Sequence, residues 1–200
     1  MLSLHKKEIL FSGGSLKSSA IRHSGFSMIE LMIAVAVVSV LATFALPSYR
    51  IWIENTRIRN AAESINTGLQ KARVEALKRN ADIKFQLGVG AEWTIGCVNA
   101  TADCPDPIET KVVKDGASSS ISVTATPVGS ATLVFTSLGR VRSAIEGAPE
   151  DPFTQLDIDN TSVSGSESRD LRILINAGGA GKLCDPYTGL SDTDPRKCPD

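Results

Sequence analysis

A run of 21 residues, Phe26–Leu46, carries a single charged side chain, Glu30, and any fold of the chain must accommodate it. As a helix rising about 1.5 Å per residue, such a run covers a hydrocarbon layer of roughly 30 Å. It is apolar on nearly all sides, so it suits lipid rather than one face of a sheet. The residues before it are polar and basic, with Lys6, Lys7, Lys17, Arg22, Gly13, Gly14 and several serines. In a secretory signal the apolar stretch precedes the cleavage point. Here the candidate cleavage residue, Gly25, precedes the apolar stretch. A cut there removes the leader and leaves the anchor.

Glu30 needs an explanation. A carboxylate in a membrane helix costs about 2.5–3.5 kcal/mol at the bilayer centre and less near the interface. Cleavage after Gly25 would create an α-amine on Phe26, four residues earlier. That ammonium can pair with Glu30 of its own chain or of a neighbour. A carboxylate solvated among headgroups is the plainer alternative.

Beyond the apolar run the helix pattern continues to about Asn80, now on one face only. Ile58, Ala62, Ile65, Leu69, Ala72 and Ala76 recur at steps of three and four. Arg57, Arg59, Glu63, Lys71, Arg73, Lys78 and Arg79 lie mostly off that stripe. The rest reads as short strands between Gly/Ser/Asp/Pro loops. Ile83–Val89 and Glu92–Val98 flank a glycine turn and predict a hairpin. Ile108–Lys114, Ser120–Thr126, Thr132–Thr136, Gln155–Ile158 and Leu171–Ile175 are further β-branched runs. Loops are expected near 143–152 and 159–168. The fold class expected is α+β: a long N-terminal helix, half anchor and half amphipathic, packed on an antiparallel β-sheet domain. The segments are 1–25 as leader, 26–47 as transmembrane anchor and 48–200 as the domain beyond the membrane.

The four cysteines, Cys97, Cys104, Cys184 and Cys198, all follow the anchor and lack the short CxxC spacing of zinc sites. An even number suits disulfides in an oxidising compartment. Three connectivities exist; Cys97–Cys104 and Cys184–Cys198 are favoured because each closes a short loop rich in turn residues. Basic residues flank the anchor on both sides, so the positive-inside rule barely decides orientation. The cysteines place the C-terminal part outside the cytoplasm.

Catalysis is not expected. Both histidines, His5 and His23, lie in the leader, so the remainder has neither a Ser-His-Asp triad nor a His-ligated metal site. No cofactor is expected. Asp103, Asp106, Asp157 and Asp159 fall in or beside loops without EF-hand spacing and read as solvated charges. Without Lys6, Lys7, Lys17, Arg22 and Glu8, the 21 basic and 22 acidic residues become 17 and 21, a net of −4. Such a balance does not favour nucleic acid unless a basic patch exists.

Gly25-Phe26-Ser27-Met28-Ile29-Glu30-Leu31 resembles the class III signal of type IV pilins and type II secretion pseudopilins, usually G-F-T-L-I-E-L. The resemblance implies that a prepilin peptidase cuts after Gly25 and methylates Phe26, and that Glu30 aligns an incoming subunit in the filament. Pro47 sits where the family often has a helix-bending proline. Further along, Trp93-Thr94-Ile95-Gly96-Cys97, Phe135 with Leu138-Gly139-Arg140, and a late strand leading to Cys184-Asp185-Pro186 resemble the GspH/FimT group. That implies a pilin-like fold and a minor pilin taking part in type IV pilus assembly, held in the bacterial inner membrane with its domain in the periplasm. Its partners would be other pilins or pseudopilins through the N-terminal helix. An H-type pseudopilin of type II secretion is the alternative.

Gly139-Arg140-Val141-Arg142 resembles a Gly-Arg-x-Arg stretch of members that take part in DNA uptake, which implies DNA contact through Arg140 and Arg142. Arginines at alternate positions of an extended segment project the same way. A turn glycine followed by exposed arginines accounts for the residues equally.

Overall fold

The computed structural model describes residues 25–112, 120–143 and 151–199. The expected leader up to residue 24, the end of the expected Ile108–Lys114 strand and most of the expected 143–152 loop lie outside them. The described residues fall into two compact units, divided between Ala42 and Thr43. One helix, α1 (Met28–Arg79), contributes to both.

In the first unit the helix starts at a serine cap. The Ser27 side chain accepts a hydrogen bond from the Glu30 N–H at 3.2 Å, and the Ser27 carbonyl accepts from the Leu31 N–H at 3.1 Å. Serine followed three residues later by glutamate is the sequence of a capping box. Glu30 in the first turn also faces the positive end of the helix dipole. Every residue from Gly25 to Arg50 is exposed. The Ser39 hydroxyl donates to the Val35 carbonyl at 2.7 Å, so it brings no unpaired donor into the apolar run.

In the second unit the helix buries a stripe of Ile58, Ala61, Ala62, Ile65, Gly68, Leu69, Ala72 and Ala76. Small residues at 61, 62, 68, 72 and 76 let the backbone come close to the strands. Gly68 is the tightest point, since a Cβ there would lie 2.8 Å from the Trp93 ring and 2.9 Å from that of Phe85. Lys78 and Arg79 occupy the last turn, where cations suit the dipole. Asn80 then turns left-handed at φ 50°, and the Ala81 N–H reaches back to the Ala76 carbonyl at 3.3 Å. This is a Schellman stop.

Eight strands follow: β1 (Ile83–Leu87), β2 (Trp93–Cys97), β3 (Glu109–Lys111), β4 (Ile121–Thr126), β5 (Thr132–Phe135), β6 (Gln155–Asn160), β7 (Leu171–Ile175) and β8 (Gly181–Cys184). They form two antiparallel sheets, β3-β2-β1-β5 and β4-β6-β7-β8, where the sequence suggests one. β1 and β2 make the expected hairpin, from Ile83 opposite Cys97 to Leu87 opposite Trp93. Gly90 holds a positive φ of 65° in its turn. The sheets meet where Phe135 bridges Val141 and the Val141 N–H donates to the Ala177 carbonyl at 3.1 Å.

Side chains alternate in and out along the strands. Ile83, Phe85, Trp93, Ile95, Leu133 and Phe135 from one sheet and Leu156, Ile158 and Ile173 from the other join the helix stripe in one core. Burying each such chain contributes about 1.5–3 kcal/mol. Beside this core lies a polar tie. Glu54 on the helix accepts from Asn160 Nδ2 at 2.6 Å and from Ser120 Oγ at 3.1 Å. Both donors are buried, and Arg57 pairs with the other carboxylate oxygen.

Gly68→Val forces apart the helix and the Trp93 ring and is expected to cost about 1–3 kcal/mol. Exposed Thr67→Val beside it should change stability by less than about 0.5 kcal/mol. Thermal unfolding of the detergent-solubilised chain, followed by near-UV circular dichroism, separates the two.

Candidate processing and assembly site

The peptide bond between Gly25 and Phe26 lies outside the helix, which begins at Met28. A Cβ built on Gly25 would meet nothing within 4 Å, and Phe26 is exposed. The junction is therefore exposed backbone outside regular secondary structure. Glu30 follows one turn into the helix, its backbone N–H held by Ser27. A cut at Gly25 would put a positive α-amine at the positive end of the helix dipole, an arrangement unfavourable by about 0.3–1 kcal/mol. The Glu30 carboxylate opposes that charge. The sequence offered Glu30 the amine or the headgroups; its place in the first turn, after a serine cap, gives it a helix-starting role as well.

Pro47 stands within α1 without ending it. Proline lacks the N–H that would continue the ladder, so one helical hydrogen bond is missing at that turn.

The arginines of the Gly139-Arg140-Val141-Arg142 stretch are not used alike. Gly139 makes a left-handed turn at φ 71°, and its carbonyl accepts from Arg73 Nε on the helix at 3.0 Å. Arg142 is half-buried and paired with Asp82. Arg140 is exposed. The glycine is thus a turn packed on the helix, and one of the two cations is engaged by a carboxylate of the same chain.

Cys97 is joined to Cys104 and Cys184 to Cys198. The second link closes a C-terminal loop held further by the Asp185 N–H on the Arg196 carbonyl at 2.7 Å and the Cys198 N–H on the Asp185 carbonyl at 3.1 Å. Lys197 pairs with Asp192, and Arg196 with Asp194, whose carboxyl that hydrogen bond lowers to about 2. Among the described residues no group of three or more His, Cys, Asp or Glu could hold a metal ion.

Two family models match the chain. One, described as the prokaryotic N-terminal methylation motif, covers residues 21–46. The other, described as type II transport protein GspH, covers residues 61–179, more than half of the chain. The chain belongs to the GspH family. Its matched span begins on the buried helix stripe and runs through β7, leaving β8 and the Cys184–Cys198 loop beyond it. Residues 47–60 fall between the two matched spans. Two curated relatives, each a fimbrial protein of Pseudomonas aeruginosa, are 27% identical over 124 residues, covering 62% of this chain and 74% of the relative. A crystal structure of the P. aeruginosa type IV minor pilin FimU is 19% identical, with a TM-score of 0.44, covering 71% of this chain and 97% of that one.

One loop of this GspH-family chain, between β6 and β7, holds an acid shifted the other way from Asp194. Burial pushes the Asp170 carboxyl above the ordinary carboxylate range; the Ser168 hydroxyl pulls it down, and Asp159 and Asp185 add to the rise. A raised acid binds its proton more readily folded than unfolded, so this group costs stability once pH exceeds its unfolded value, with the full cost above its folded value. Asp170→Asn should therefore raise the melting temperature at neutral pH, and the gain should disappear as pH falls below the ordinary aspartate value. Melting curves across that range check it.

Proposed function

We propose that this chain is a minor pilin, a subunit taking part in type IV pilus assembly. In this reading prepilin peptidase cuts after Gly25 and the new Phe26 amine is methylated. The apolar part of α1 holds the subunit in the inner membrane, and the domain from residue 48 lies in the periplasm. The observation that carries the reading is the joining of an N-terminal methylation motif to a helix whose stretch from Met28 to Leu46 is exposed and carries one charge, Glu30. That stretch is long and apolar enough to cross a membrane and none of it is buried. Lipid covers it first; neighbouring helices cover it after assembly. The fimbrial relatives support the pilus as the machine.

Methylation leaves the amine cationic, so it can still meet a carboxylate. Inside a filament core that ammonium and Glu30 are both costly alone and tolerable together. Cleavage and polymerisation are thereby linked, because the leader must go before the amine exists. The GspH family description favours a second reading on the same fold, an H-type pseudopilin of type II secretion.

The test is recovery of the chain in filaments sheared from the cell surface. The wild-type chain should be present. Glu30→Leu should remain membrane-bound while its recovery in filaments falls at least about tenfold, since leaving one partner of a buried ion pair unmatched costs several kcal/mol. Absence of the wild-type chain from sheared pili, with protein secretion lost on deleting its gene, would replace the pilus by the secretion machine.

A further inference from the structure

Residues 47–60 match neither family model, yet they hold two large aromatics that the core does not use. Tyr49 is 57% exposed and Trp52 62% exposed. They lie three apart on α1, hence on one face, and their rings stack with centroids 5.9 Å apart and planes 26° from parallel. The other tryptophan, Trp93, is a core residue at 3% exposure, its indole N–H donated to Ser64 at 3.2 Å.

We infer that Tyr49 and Trp52 seat the chain in the headgroup zone of a phospholipid bilayer, on the side of the folded second unit. The inference rests on the membrane-anchor reading above. It adds where along the helix the membrane ends and which side chains hold it there.

Position along the chain supports it first. The apolar run ends at Leu46, and the pair follows three and six residues later. At about 1.5 Å per residue that is roughly 5–9 Å beyond the end of that run. With a hydrocarbon layer of about 30 Å inside a bilayer of about 40–45 Å, the headgroup zone is some 5–8 Å deep on each side. Tyrosine and tryptophan concentrate there because their rings favour the apolar side while the O–H or N–H reaches water. Arg50 lies between them in sequence and suits anionic headgroups.

Contacts within the second unit begin one turn beyond the pair. Asn55, one turn beyond Trp52, donates to the Glu167 carbonyl at 3.0 Å and accepts from the Arg169 N–H at 2.9 Å. These two bonds bring the serine-rich loop 161–169 beside the helix. Between loop and helix is an open groove of about 790 Å³, lined by Leu46 and Pro47 but also by Arg50, Arg57, Ser162 and Ser164. The same groove also holds Ile51 and Val163 and the carboxylates of Glu54 and Glu167, so it is amphipathic throughout, as the border of a bilayer is. A neighbouring subunit could cover the same aromatics instead, and the experiment separates that outcome.

The chain is reconstituted into vesicles of phosphatidylcholine with phosphatidylglycerol, brominated either near the headgroup or near the chain ends. In Trp93→Phe, Trp52 is the sole tryptophan. Its fluorescence should be quenched at least about twofold more by the shallow bromines than by the deep ones. If Trp93→Phe disturbs the core, the difference between wild type and Trp52→Phe reads the same quantity, because buried Trp93 should not respond to lipid. A chain that floats with the vesicles while Trp52 ignores brominated lipid and stays open to an aqueous quencher overturns the inference and leaves the anchor intact. The same holds if Trp52 becomes protected only in assembled filaments. A chain that does not float with vesicles overturns the anchor and the inference together.

Discussion

An apolar surface that goes all the way round a helix cannot be covered by one sheet, and this constraint organises the chain. A sheet hides one stripe, about a third of a helix. From Phe26 to Leu46 every face is apolar and exposed, so the cover must come from outside the chain. From Ile58 onward the same helix narrows to one apolar stripe, which the two sheets hide. The change occurs over residues 47–57, where Pro47, the stacked Tyr49 and Trp52, and the Glu54 and Asn55 ties follow one another.

That ordering gives each half a different chemistry. The buried half is held by close approach, small helix residues and glycine against aromatic rings, so it tolerates little added volume. The exposed half has no internal packing to satisfy. Its polar groups are instead dealt with locally, Ser39 on the Val35 carbonyl and Ser27 on the Glu30 amide. Glu30 is the exception, because its carboxylate has charge that a backbone amide cap does not cancel. In the proposed reading the charge is met by the amine that processing exposes.

Much of this was legible in the residues. The stripe Ile58, Ala62, Ile65, Leu69, Ala72 and Ala76 is buried at every position, because period and small size both point inward. The hairpin around Gly90 and the strand Leu171–Ile175 follow from local alternation and turn chemistry. The split into two sheets did not, since alternation tells which face is buried and not which strand pairs with which. β6 runs on through Asp159 and Asn160, polar residues read as loop, because Asn160 is satisfied by Glu54, 106 residues away in sequence. The partner of Arg142, Asp82, is likewise distant, so the Gly-Arg-x-Arg stretch looked freer than it is. Gly25, Phe26 and Glu30 stood out because a glycine precedes an apolar run with one charge in it, and because the stretch resembles the class III signal.

The central claim is that the Gly25–Phe26 junction is cut to leave the anchor in place and create its amine. The most direct measurement is the N-terminal mass of the protein extracted from membranes of a host with active prepilin peptidase. The account predicts a chain that begins at a singly methylated Phe26. A chain that still begins at Met1, or that begins after the apolar run, would contradict it.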